Sequence, residues 1–268
     1  MTTVLLHLSD PHFGTERPDV VAALTRLAQE LKPALVIASG DITQRARAGQ
    51  FDAARAFIDS LGAPALVVPG NHDIPLLNLA ARLFAPYRGH QRVFGETLEP
   101  RVVLPQVWIA GLNTTRPWRH KHGQVTTAQA EAAAGWLQGA PAGVLRVIVT
   151  HHPLALQRVR DEPDHLRGGR EAAAIWAAAG VHLVLGGHIH LPFFMPVHTH
   201  WPELPKKLWL AQAGTCVSHR TRPEAGPSVN LVRSSGSTAW RLERWDYDRA
   251  VNAFARAAAQ RAVTIETG

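Results

Sequence analysis

Five short stretches of this sequence carry side chains that bind metal ions or move protons. They are Ser9-Asp10-Pro11-His12, Ser39-Gly40-Asp41, Pro69-Gly70-Asn71-His72-Asp73, Thr150-His151-His152-Pro153 and Gly186-Gly187-His188-Ile189-His190. Carboxylate, imidazole and amide oxygen without thiolate suit Mn, Fe, Zn or Co. The sole cysteine, Cys216, excludes an intrachain disulfide and a cysteine cage. The donors are too many for one tetrahedral ion, yet they suffice for two ions about 3.5–4 Å apart with one carboxylate shared. The charge of such a pair exceeds that of the carboxylates, so the site would favour a phosphate oxyanion. Each stretch alone has a plainer explanation: Asp after a strand is commonly a turn or cap, Gly-Asp and Gly-Asn are ordinary turn pairs, and His-x-His can arise by chance among fifteen histidines. Chance does not explain all five together.

What must position them is legible upstream of each stretch. Apolar runs at 4–8, 35–38, 65–68, 144–149 and 181–185 lead directly into the five segments. Nearly continuous apolar runs of this length read as strands buried on both faces of a largely parallel sheet. The carboxyl edge of such a sheet is where ligands bind. Residues two apart on an extended segment point the same way, so Asp10 with His12, and His188 with His190, are expected to reach one centre. Pro11 biases Asp10 toward an extended backbone, and Gly40, Gly70, Gly186 and Gly187 clear space beside the donors.

Helical spacing marks 19–31, 50–61, 126–137 and 169–179, and the alternation with strands argues for βαβ units. Residues 93–113 read as two or three further strands, 191–204 as a loop or cap, and 208–213, 229–233 and 239–245 as closing strands. The tail from 248 has helix-forming composition. No repeat or linker interrupts the chain, so the expectation is one domain over 1–268: a core at 1–190, a cap or loop region at 191–228, and closing strands with a tail at 229–268.

The bulk composition, 46% apolar and 18% charged over 268 residues, is that of a globular protein. No apolar run approaches the ~20 residues of a membrane span, and the first residues lack the pattern of a cleaved leader. Cytoplasmic residence without membrane partners is the expectation. Basic residues exceed acidic ones by 28 − 21 = 7. Because they are scattered, a solvated arginine-rich surface is the plain reading and phosphate steering the alternative. His7, His90, His152, His182, His198 and His200 are read as structural or surface histidines.

Taken together and in order, Asp10-Pro11-His12, Gly40-Asp41, Gly70-Asn71-His72-Asp73, His151-His152 and Gly187-His188-Ile189-His190 resemble the calcineurin-like metallophosphoesterases, over 4–190. Gly40-Asp41-Ile42-Thr43, Gly111-Leu112-Asn113-Thr114 and Gly214-Thr215-Cys216 with Ser218 look most like the bacterial branch containing class III cyclic-nucleotide phosphodiesterases. Pro11 stands where the family often has an aliphatic residue, which touches no ligand. The resemblance implies an α/β fold, a four-layer α-β-β-α sandwich of two facing mixed sheets flanked by helices. It also implies that Asp10, His12 and His190 hold one metal, Asn71, His151 and His188 the other, with Asp41 bridging. Mn2+ and Fe suit best, with Zn2+ or Co2+ open.

The expected reaction is in-line hydrolysis of a phosphodiester by a water whose pKa the ions lower toward ~7. His72 would stabilise phosphoryl charge or protonate the leaving alkoxide. Asp73 would orient its ring or, equally, cap a helix. Cyclic nucleotides or a broad range of small phosphodiesters are the expected substrates. Trp118-Arg119-His120-Lys121-His122, the segment 193–201 and His219-Arg220 are candidate specificity elements, or simply surface loops. Nuclease and phosphomonoesterase (protein phosphatase included) activities are chemically open, although no basic stripe favours nucleic acid. A non-catalytic scaffold is a distant alternative. A lipid-linked substrate is conceivable, but no long amphipathic lid is evident. Homo-oligomerisation is left open.

Overall fold

The computed structural model describes residues 2–205, 207–235, 238–258 and 260–267. Strands β1 (Val4–Leu8), β2 (Leu35–Ala38) and β3 (Ala65–Val67) pair in parallel. Between them run α1 (Pro18–Leu31) and α2 (Ala48–Ser60). Pro18 sits in the first turn of α1, where its missing N–H costs nothing. Val20, Ala23, Leu24, Leu27 and Ala28 form the buried stripe of that helix. Lys32 adopts a left-handed conformation at its end and donates its N–H to the Ala28 carbonyl.

The next segment holds two short helices, α3 (Leu79–Phe84) and α4 (Arg88–Phe94), that the sequence reading did not anticipate. No residue of α3 is buried, so no apolar stripe marks it. Residues 93–94 close α4 rather than open a strand. The two or three strands expected at 93–113 are two, and they pair antiparallel: β4 (Arg101–Leu104) and β5 (Val107–Gly111). After α5 (Thr127–Gln138) comes β6 (Leu145–Val149), and after α6 (Gly169–Ala178) comes β7 (Leu183–Gly186).

The region expected to be a loop or cap contains a regular strand, β8 (Phe193–Pro196), which pairs antiparallel with β9 (Trp209–Gln212). Phe193 and Phe194 face opposite ways along β8 and enter separate apolar cores, which removes both from any substrate contact. Strands β10 (Ser228–Ser234) and β11 (Ala239–Asp248) follow. The tail is not helical: it returns as β12 (Ala253–Arg256) and β13 (Val263–Glu266), both on β11. Partners from the sheet edge override the helical propensity of the alanines there.

Two mixed sheets result. One runs β12-β11-β10-β1-β2-β3 with β13 beside β11, and the other β4-β5-β6-β7-β9-β8. Three apolar cores separate four layers. Leu5, Ile37 and Leu66 meet Val107, Val147 and Leu185 between the sheets. Leu6, Leu8 and Val36 pack with α1 and α2 on one outer face. Ile148 and Val184 pack with α5 and α6 on the other. The α-β-β-α sandwich thus places the carboxyl ends of β1, β2 and β3 opposite those of β6 and β7. Among the described residues no helix is long and apolar enough to cross a membrane.

Candidate metal centre

Beyond β1 and β2 the chain keeps pairing as it leaves the sheet. Asp10 N donates to Gly40 O, His12 N to Asp41 O and Phe13 N to Ile42 O, each at 3.0 Å. Five donor residues sit here with positive φ: Asp10 (52°), His12 (45°), Asp41 (49°), His188 (73°) and His190 (54°). The extended backbone expected for Asp10 ahead of Pro11 is therefore not adopted. Both Asp-x-His and His-x-His converge through left-handed turns, not through the period of a strand. Such backbone persists only where its surroundings over-determine it. Here Asp10 Oδ2 accepts from His188 N (2.8 Å) and Asp10 O from Thr215 Oγ1 (2.6 Å), besides the amide bond to Gly40. Two glycines permit the approach. A Cβ on Gly70 would lie 2.0 Å from the Asp41 amide nitrogen, and one on Gly187 within 2.4 Å of Asp10 Oδ2.

These turns bring all seven expected ligands and His72 to one edge. His190 Nε2 lies 3.2 Å from Asp10 Oδ1 and 3.0 Å from His12 Nε2, while His12 Nε2 lies 3.6 Å from Asp41 Oδ2. On the other side, His151 Nε2 lies 3.3 Å from Asp41 Oδ1, 3.2 Å from Asn71 Oδ1 and 3.3 Å from His188 Nδ1. Asp41 stands between the two groups. Asp10, His12, Asp41 and His151 are almost wholly shielded from solvent.

The tautomers are set from behind. His151 Nδ1 faces Ser39 O at 2.8 Å and His190 Nδ1 faces Arg220 O at 2.5 Å. Each therefore donates Nδ1–H to a carbonyl and turns an Nε2 lone pair inward, as metal-binding imidazoles do. The inward nitrogens and oxygens then meet as acceptor against acceptor. Among the described residues no hydrogen-bond donor reaches the buried Asp10 Oδ1. A cation resolves such a cluster, and its donors fit divalent first-row metals. The electrostatics agree. Burial works to lower the His151 pKa, but the Asp41 carboxylate beside it, helped by Asp10, lifts it to about 9. A proton is thus held where positive charge is demanded. Burial raises Asp10 and Asp41, yet the surrounding imidazoles hold both below the ordinary carboxylate range.

His72 belongs to the same edge, its ring 4.8 Å from that of His12. Its Nδ1 faces Gln44 O at 2.9 Å, which leaves Nε2 toward the cavity. Asp73 does not orient that ring. Its carboxylate accepts instead from Gly70 N (2.9 Å), Ile42 N (3.1 Å), Thr43 N (2.8 Å) and Thr43 Oγ1 (2.9 Å), and so ties the loop after β2 to the loop after β3. Close sequence neighbours of this kind cannot be told apart before the turn is seen.

A cavity of about 250 Å³ opens over the cluster, walled by Asp41, His72, His188, Lys121, Arg220 and Asp164 among others. Arg220 Nη1 reaches Gln44 Oε1 (2.8 Å) and His72 Nε2 (3.3 Å). Lys121 pairs with Asp164 (3.2 Å) and Arg222 with Asp161 (2.7 Å). Lys121 and Arg220 come from segments flagged in the sequence. Gln44, Asp164 and Arg222 were missed, for Gln44 and Arg222 lie in loops and Asp164 closes a short 3-10 helix, none of them within a motif. Trp118 is exposed, and His152 spends both nitrogens on Thr114 Oγ1 (2.8 Å) and Lys121 O (3.1 Å), as a structural histidine does.

Comparison with known proteins agrees with this geometry. Over 83 residues the chain is 34% identical to the glycerophosphodiester phosphodiesterase GpdQ of Enterobacter lignolyticus, covering 26% of this chain and 29% of that protein. A probable cyclic nucleotide phosphodiesterase of Synechococcus is 28% identical over 183 residues, covering 66% and 65%. The chain thus spans less than two thirds of the length of either relative. Its fold superimposes on a purple acid phosphatase from yellow lupin with a TM-score of 0.71 at 14% identity, over 99% of this chain and 54% of that one. The sequence model for the calcineurin-like phosphoesterases matches residues 3–192, from just before β1 to just past His190. With the two sheets and the clustered donors already in place, that match settles the family: the chain belongs to the calcineurin-like phosphoesterases, which depend on a dinuclear metal centre.

Proposed function

We propose that the chain hydrolyses small phosphodiesters, with cyclic nucleotides among the candidate substrates. The observation that carries this reading is the crowding of His151 Nε2, which faces Asp41 Oδ1, Asn71 Oδ1 and His188 Nδ1 at 3.2–3.3 Å. With Nδ1–H spent on Ser39 O, Nε2 turns a lone pair toward oxygens that are themselves acceptors, so the position calls for an ion. Asn71, His151 and His188 would hold it, Asp10, His12 and His190 would hold a second, and Asp41 would be shared. When bound, the two ions supply Lewis acidity and a water whose pKa is lowered toward ~7.

The chain's own residues do the rest. Arg220 stands beside His72 and donates to the phosphoryl oxygens of an incoming substrate. His72 Nδ1–H stays on Gln44 O and Nε2 accepts from Arg220, so Nε2 is the nitrogen that takes up a proton and passes it to the leaving alkoxide. Diester is favoured over monoester by charge. Two of the three cations over the site, Lys121 and Arg222, are already matched by Asp164 and Asp161. Among the described residues Arg220 meets no carboxylate, and it suits the single charge of a diester. The activities named for the two relatives support the same choice.

The test is a turnover panel on protein reconstituted with Mn2+, Fe2+, Zn2+ or Co2+. It sets 3′,5′- and 2′,3′-cyclic nucleotides, glycerophosphodiesters and bis-p-nitrophenyl phosphate against p-nitrophenyl phosphate. Higher kcat/KM on diesters is expected. Preference for the monoester would overturn the diester reading.

A further inference from the structure

A second cavity, larger than the one over the metal centre, lies next to it. It is a groove of about 710 Å³, floored by Leu76, Leu77, Phe84 and neighbouring alanines and edged by Arg45, Arg47 and Arg88. That volume is ample for a ligand the size of an alkyl chain. Leu77 and Phe84 are 88% and 81% exposed, and Leu79 and Leu83 continue the apolar surface along α3. Exposed apolar clusters of this kind mark binding sites.

Three observations say what would fill it. The groove is continuous with the centre, because Arg45 and Leu76 also wall the small crevice that contains Asn71, His72 and His120. Its surface changes character along its length, apolar in α3 and cationic at the edge. Among the described residues the Arg45, Arg47 and Arg88 side chains make no ion pair, so the edge keeps its positive charge for an anionic ligand. A second copy of this chain, itself carrying a net charge of +7, would set arginine against arginine here.

We infer that the groove holds the apolar arm of the phosphodiester whose phosphate sits at the metal centre, so that amphiphilic diesters are preferred over wholly polar ones. This rests on the phosphodiesterase reading and narrows its substrate class. It also gives α3 a use that its lack of buried residues otherwise leaves unexplained.

Binding of octylphosphonate and methylphosphonate to Mn2+-reconstituted protein, measured by calorimetry, tests the groove without turnover. The octyl compound should bind at least about tenfold more tightly in the wild type, and the advantage should shrink to within about threefold in Leu77→Asp/Phe84→Asp. Both side chains are exposed, so the variant keeps its core. Equal affinities in the wild type, or an advantage that survives in the variant, would overturn the proposal. So would variant-sensitive sedimentation with phosphatidylglycerol vesicles combined with equal phosphonate affinities, which would assign the patch to a membrane surface. Turnover of bis-p-nitrophenyl phosphate is measured alongside. Its absence would remove the diesterase reading, while the phosphonate comparison still decides what the groove binds.

Discussion

Two populations of buried or largely buried histidine occupy this molecule, and burial alone does not separate them. His12, His151, His188 and His190 gather where the two sheets end. His7, His90 and His182 lie elsewhere in the body, and His152 just behind the centre. Burial pushes His7 down to about 3 and His90 and His182 to about 4. It pushes His12 down to about 3 as well, despite two carboxylates nearby. The difference lies in what each nitrogen faces. His7 Nε2 meets Ser39 Oγ (2.9 Å) and His182 Nδ1 meets Arg146 N (3.0 Å), pairs that neutral groups satisfy between themselves. At the centre, nitrogens face carboxylates and one another, and only added positive charge satisfies them. Juxtaposition identifies a ligand, and residue type does not.

The sharpest way to break that comparison is to remove the shared carboxylate. Asp41→Ala should lower kcat by more than about 10³-fold, beyond the effect of a single electrostatic donor. Bound metal should fall below two per chain by elemental analysis, and the thermal transition of the metal-free protein should move little. Wild-type turnover in this variant would show that the cluster is not the catalytic centre.

His72 stands at the border of the two populations, since its Nδ1 is matched by a carbonyl and its Nε2 by Arg220. His72→Ala should cost about 10²-fold in kcat, at the low end for a lost proton donor, because the metal ligands remain. The loss should grow for alkyl esters, whose alkoxides need the proton, relative to p-nitrophenyl esters, which leave without it. A loss independent of leaving group would assign His72 to charge stabilisation alone. Asp73 is the contrasting carboxylate, next in sequence yet bonded only to backbone amides and one hydroxyl. Asp73→Ala should lower unfolding free energy by about 1–3 kcal/mol through three unsatisfied buried N–H groups, read as a reduced urea midpoint.

The sequence was informative wherever a strand end and a ligand type coincide. Leu5, Ile37 and Val147 read as buried strands because both sheet faces are covered, and the five donor segments follow such runs directly. What stayed hidden has physical reasons. The assignment of strands to two sheets is a long-range fact that no local period encodes. Left-handed backbone at Asp10 and His12 is imposed by tertiary hydrogen bonds from Thr215 and His188, which outweigh the local bias of Pro11. Residues 79–84 form a helix with no buried side, so the usual stripe is absent. Asp164 and Arg222 reach the centre from connecting segments whose path depends on the finished fold.

The smallest effect, taken per unit of pH, is expected from the extreme member of the second population, a buried ring that faces no polar partner among the described residues. His90, on α4, is fully buried, and neither ring nitrogen has a hydrogen-bond partner among the described residues. Its pKa is about 4 in the fold against an ordinary 6.5. Above 6.5 the ring is neutral whether the chain is folded or not, and stability does not depend on it. Between 6.5 and 4 the unfolded chain binds a proton that the folded one refuses, so stability falls as pH falls, by at most ~1.4 kcal/mol per pH unit. Below 4 both states are protonated and the slope ends. Urea unfolding of the metal-free protein from pH 7 to 4 should therefore be less steeply pH-dependent in His90→Leu than in the wild type, with His7 and His182 still supplying the remainder. Parallel slopes would mean that the folded protein accepts a proton at His90, and burial without a partner would then no longer distinguish the body histidines from those that hold the ions.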